Sequence, residues 1–154
     1  MSIVLNVIFG ILLHRQSSPN DLSLNAYSQC ISLLKQADQS AHGVQNGGQI
    51  AENLYVITQC IYESDGILRG LNAQSKSRGA DFSLLANALQ ARLGFPPLTD
   101  TNLKLNMTSF DEATSRLEVI LHYLGGTSYS LKGWVNMKNN LDRLNKEITL
   151  WGIS

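Results

Sequence analysis

Three histidines, His14, His42 and His122, and two cysteines, Cys30 and Cys60, are the side chains from which a metal centre or an activated nucleophile would have to be built. Glu118 and His122 are four apart and share one face of a helix, as a ligand pair would. A carboxylate-bridged centre between helices needs further carboxylates and a Glu-x-x-His spacing from facing helices, and that spacing is missing. The histidines therefore read as satisfied or solvent-facing side chains. The cysteines match no metal spacing and are too few for a disulfide framework, which points to a reducing, cytoplasmic compartment; as a pair they read as two small core residues in contact, with a disulfide or redox pair as the alternative. No nucleophile elbow, phosphate loop, Rossmann fingerprint or metalloprotease motif occurs. The double glycines Gly47-Gly48 and Gly125-Gly126 lack the lysine and hydroxyl partners of a phosphate loop and read as turns. The expectation is a non-catalytic protein without a cofactor.

Charge is the second source of chemistry. The formal net charge is zero, but it is unevenly placed. Residues 1–65 carry two basic against five acidic side chains, a net −3. Residues 66–108 carry five basic against two acidic, a net +3, and residues 109–154 balance at five each. Arg69, Lys76, Arg78 and Arg92 make the basic middle the best candidate for contact with a nucleic-acid backbone. Phe82 and Phe95 are the aromatics interleaved with it, too few to imply base stacking or sequence readout. Acidic and basic regions of similar size could also meet head to tail in an oligomer. Only 16% of residues are charged, and a surface weak in charge repels its own copies less.

The elements that must position these groups are helical. Trp134, Met137, Leu141, Leu144, Ile148 and Trp151 follow a three-four-three-four-three spacing, which puts all six on one face of a helix over Leu131 to Trp151. A helix with such a stripe must bury it against other helices, because a lone helix gains little in water. Ser18, Pro19 and Asp21 are suited to start a helix with Leu24, Tyr27, Ile31, Leu34 and Ala41 on one face, stopping near Gly43. A second helix, from about Gln49 to Leu71, carries Ile50, Leu54, Ile57, Ile61 and Leu68. Folding the two together about the intervening glycines pairs residues whose numbers sum to roughly 91, which places Cys30 and Cys60 in one layer.

Asn72 to Ala80 reads as a polar loop, so that Arg69, Lys76 and Arg78 lie in or beside it and Arg92 ends the next helix. Asp81 can cap that short helix, which ends at Gly94 before Pro96-Pro97. Leu98 to Met107 reads as extended or irregular. Ser109 to Glu112 forms a capping box for a helix ended by Gly125-Gly126. The expected fold is all-α, a single domain over residues 1–154, built as a compact bundle of five or six antiparallel helices with heptad-like seams. The apolar run from Ile3 to Leu13 is too short for a membrane span and lacks the flanks of a signal peptide. It reads as packed into the bundle, or as an arm docking a partner through Val4, Val7, Ile8 and Ile11.

Two resemblances accompany this reading. Ser18–Ala37 (SPNDLSLNAYSQCISLLKQA) and Gly47–Leu54 (GGQIAENL) resemble pieces of the small helical flagellin-export chaperones. Those chaperones have a whole helix between the two pieces where this chain has a turn, and their start is not apolar. The likeness implies a groove that takes an amphipathic helix of a protein client. In size and all-helical character the chain is also similar to the small helical subunits of CRISPR effector complexes, which line the nucleic-acid path in several copies. That likeness implies a subunit of a larger assembly, touching other protein subunits and an RNA or DNA backbone.

Overall fold

The computed structural model describes residues 21–97, 105–129 and 133–152. Val4, Val7, Ile8 and Ile11, with the rest of the apolar run, lie outside the described residues. Among the described residues there are five α-helices and no strand: α1 (Asp21–Gln45), α2 (Ile50–Ser75), α3 (Ser83–Gln90), α4 (Met107–Leu124) and α5 (Trp134–Leu150). Two 3-10 turns, Lys76–Arg78 and Arg92–Gly94, follow α2 and α3.

The first two helices are set by a turn whose geometry fixes their register. Gly47 sits at φ 83°, a conformation that costs glycine nothing because it has no Cβ. Its amide donates to the Val44 carbonyl at 3.0 Å and the Gly48 amide to that of Gly43 at 2.8 Å, a Schellman closure of α1. The helix therefore runs to Gln45, past the expected stop at Gly43. Asn53 then lies beside Gly43, Cys30 Sγ faces the Ser64 carbonyl at 4.0 Å, and Ser23 donates to Gln74 at 2.6 Å. These pairs sum to between 94 and 97, so the register is about one turn away from the expected 91. Cys30 and Cys60 are both buried and free, and Cys30 looks at Ser64, one turn beyond Cys60.

α2 is also longer than expected. It continues to Ser75, and most of the segment read as a polar loop is helix and 3-10 turn. Burial explains the extension. Leu71 and Ser75 continue the inward face of Leu54, Ile57, Ile61 and Leu68, and Ser75 shares a buried hydrogen bond with the Tyr129 hydroxyl. Ile50, expected on the buried face, is exposed at the first turn.

The helices close a ring around one apolar core: α1 packs on α2 and α4, α2 on α3, α3 on α5, and α5 on α4. From α5 come Met137, Leu141, Leu144 and Ile148, all buried as their spacing predicts, with Trp134 and Trp151 half-buried at either end. Tyr27 joins the two sides of the ring. Its ring stacks 5.5 Å from Tyr129, and its hydroxyl donates to the Leu124 carbonyl at 3.1 Å beside the Thr127 hydroxyl. Burial pushes the Tyr27 phenol up to about 12, against the lowering effect of the Thr127 hydrogen bond.

α4 starts two residues before the expected capping box. Asn106 is its cap and accepts from the Ser109 amide. No helix among the described residues is long and apolar enough to cross a membrane.

Candidate functional site

Of the four basic residues singled out from the sequence, one lies on α2, two in the 3-10 turn that follows it and one in the turn after α3. Arg69 is on the exposed side of α2, paired with Asp65 at 2.9 Å and donating to Gln90 of α3 at 2.9 Å. That bond brings Arg69 to the end of α3, two residues from Arg92. Lys76 and Arg78 lie in the 3-10 turn that follows α2, both exposed. The sequence did not single out Lys138 of α5. Its Nζ comes so near the Gly79 backbone that a Cβ there would sit 3.1 Å from it, which adds a third cation beside Lys76 and Arg78. The polar loop expected to carry these side chains is thus an ordered helix end.

Arg92 does not end a helix. It begins a turn in which Arg92, Leu93 and Gly94 have φ of 53°, 55° and 94°. Left-handed backbone costs a residue with a Cβ about 1–2 kcal/mol. The surroundings hold it there. Leu93 is fully buried, Phe95 meets the edge of Phe110 at 5.2 Å, and Arg116 donates to the Leu93 carbonyl at 3.0 Å.

Phe82 and Phe95, the aromatics interleaved with the basic residues in sequence, are both buried. The exposed aromatics are elsewhere. Tyr55 is 57% and Tyr62 52% exposed, both on α2. Tyr55, Tyr62, Arg69 and Lys76 are each seven apart, so they form one line on the outer face of the helix with steps of about 10.5 Å. The face opposite is the buried row of Leu54, Ile57, Ile61 and Leu68. The seven-residue spacing is present in the sequence, beside the stronger apolar row. Glu52 and Glu63 flank the tyrosines, so the line is acidic and aromatic at one end and basic at the other.

A second constellation lies between α1 and α4. Asp38 and His42 are one turn apart on α1, and Glu118 of α4 meets them. His42 Nε2 is 3.2 Å from Glu118 Oε1 and 3.8 Å from Asp38 Oδ1. Glu118 is therefore paired across helices, and not with His122 along its own helix. His122 instead meets the edge of Tyr123, and both line an open polar pocket of about 560 Å3 with Asn136, Asn139 and Arg143. Desolvation raises the Asp38 carboxyl above its ordinary range, His42 pulls it down and the Glu118 charge raises it again.

The thiols are poor candidates for chemistry. Burial pushes Cys30 up to about 12, and Cys60 is raised by burial and then by Glu63, so both are held as thiols at neutral pH. Compared with protein-family models, with curated proteins and with solved structures, the chain finds no match.

Proposed function

We propose that this chain is a non-catalytic helical subunit of a larger cytoplasmic assembly. It holds other protein subunits, in several copies, and grips an RNA or DNA backbone without reading its sequence. The observation that carries this reading is the line on the outer face of α2. Arg69 and Lys76, with Arg78, Lys138 and Arg92 alongside, make a basic edge whose charges can neutralise backbone phosphates. The other end of the line, Tyr55 and Tyr62 flanked by Glu52 and Glu63, repels phosphate and serves a protein neighbour. The uneven charge of the chain lets the acidic part of one copy meet the basic part of the next.

The helices work as antiparallel neighbours with heptad-like seams, a reading supported by α1 meeting α2 near Gly43 and Asn53 at one end and through Ser23 and Gln74 at the other. The free cysteines suit a reducing compartment.

The test is size-exclusion chromatography with light scattering and absorbance at two wavelengths, on protein purified natively at low salt. A large species with high nucleic-acid absorbance supports the proposal. A nucleic-acid-free monomer that stays monomeric with added RNA or DNA removes it. A single protein client without nucleic acid would favour a chaperone instead.

A further inference from the structure

We propose that Asp38, His42 and Glu118 form a binding site for a divalent transition-metal ion that bridges α1 and α4. Gln45 lies three residues along α1 from His42. Its Nε2 donates to Asp111 Oδ1 at 2.7 Å, which leaves its Oε1 to face His42 Nδ1 at 2.9 Å. A carboxylate oxygen can only accept, so the amide is oriented and Nδ1 must carry the hydrogen. The other ring nitrogen, Nε2, then points at two carboxylates. That nitrogen faces two carboxylates, an arrangement that becomes attractive when positive charge, a bound metal ion or a ring proton, sits between them. A ligand histidine held through its second nitrogen by an outer amide and carboxylate is the arrangement that fixes tautomer and ring orientation at metal centres.

The carboxylates point the same way. Asp38 Oδ1 is closed off from solvent and has no hydrogen-bond partner, although it belongs to a charged group. Unpaired buried oxygens are costly, and coordination of a cation is one way of satisfying them. One ligand atom from each of the three residues lies within 4.8 Å of the others. Donors about 2.1 Å from a tetrahedral zinc would be about 3.4 Å apart. The two separations from His42 Nε2, 3.2 Å and 3.8 Å, bracket that value, and the carboxylate oxygens lie within 4.8 Å of each other, so rotation of the half-exposed His42 and Glu118 side chains would close the set. One imidazole with two carboxylates selects first-row ions such as zinc, cobalt or manganese over the oxygen-seeking magnesium and calcium. His42 and Glu118 are about half exposed, which leaves coordination positions open to water. The site is separate from the outer face of α2 and does not depend on the proposed assembly.

Calorimetric titration of the full chain with zinc, and with cobalt followed by its visible absorption, tests the site. The expected result is one equivalent bound, a rise in melting temperature with zinc, and a loss of affinity of roughly tenfold or more in His42→Ala and in Glu118→Gln. His14→Ala/His122→Ala should bind as the wild type does. Because His42 is exposed, its variant should keep the helical circular dichroism of the wild type. Absence of zinc and cobalt uptake, or uptake unchanged by His42→Ala, would overturn the proposal and leave the cluster as an ion pair of protonated His42.

Discussion

Arg69 donates to Gln90 across the seam between α2 and α3 at 2.9 Å, while its other side pairs with Asp65. The guanidinium is thereby fixed in place and partly neutralised. Lys76 and Arg78 have no ion pair within 4.0 Å among those found for the described residues. The basic edge is therefore unequal. Charge reversal of Lys76 and Arg78 should weaken backbone binding more than Arg69→Gln, measured by fluorescence anisotropy under one salt condition.

High pH should destabilise the fold through two buried protons. Tyr27 and Cys30 are pushed up to about 12 from ordinary values of 10.0 and 9.0. A folded pKa above the unfolded one means that the stabilisation is intact below about pH 9 and erodes as pH rises toward 12. Cys30 contributes from about pH 9 and Tyr27 only from about pH 10, each at about 1.4 kcal/mol per pH unit. Urea unfolding between about pH 8 and pH 11.5 should show the decline, and Tyr27→Phe should flatten it above about pH 10. A Tyr27→Phe variant with the wild-type slope would mean that the phenol is not shielded.

Gly94 should tolerate no side chain. Its φ is 94°, and a Cβ there would come 2.8 Å from Arg116 Nη1, the group that holds the Leu93 carbonyl. Gly94→Ala should cost about 1–3 kcal/mol from backbone strain and the displaced Arg116. Chemical denaturation reads this directly, and an unchanged midpoint would show that the turn is relaxed.

The α5 stripe should behave as core. Leu141 is fully buried on α5, which packs on α4 and α3, so Leu141→Ala should cost about 2–5 kcal/mol by cavity formation. Val135→Ala, on the exposed side of the same helix, should stay within about 0.5 kcal/mol. Equal losses at both positions would contradict the packing of α5.

What could be read from the sequence was whatever repeats along one helix. The stripe from Met137 to Ile148 and the breaks at Gly47 and Gly125 announced themselves by spacing and residue type. The register of α1 on α2 did not, because a closing turn that ends two residues later moves the pairing by about one helical turn. The end of α2 was hidden because Asn72 to Ser75 look like loop residues, and only Leu71 and Ser75 facing the core make them helix. The meeting of His42 with Glu118 joins residues 76 positions apart and has no local signature. The Tyr55–Lys76 line was legible as a seven-residue period, but it reads as function only once the opposite face is known to be buried.

The most direct test of the basic edge is the salt dependence of binding to a labelled single-stranded RNA, for the wild type and for Lys76→Glu/Arg78→Glu. Each phosphate contact contributes about 0.7 to the slope of log affinity against log salt on a single strand. The account predicts measurable binding by the wild type and a slope shallower by about 1.4 in the double variant. Wild-type binding whose slope is unchanged by the double substitution, or no binding at low salt, would contradict it.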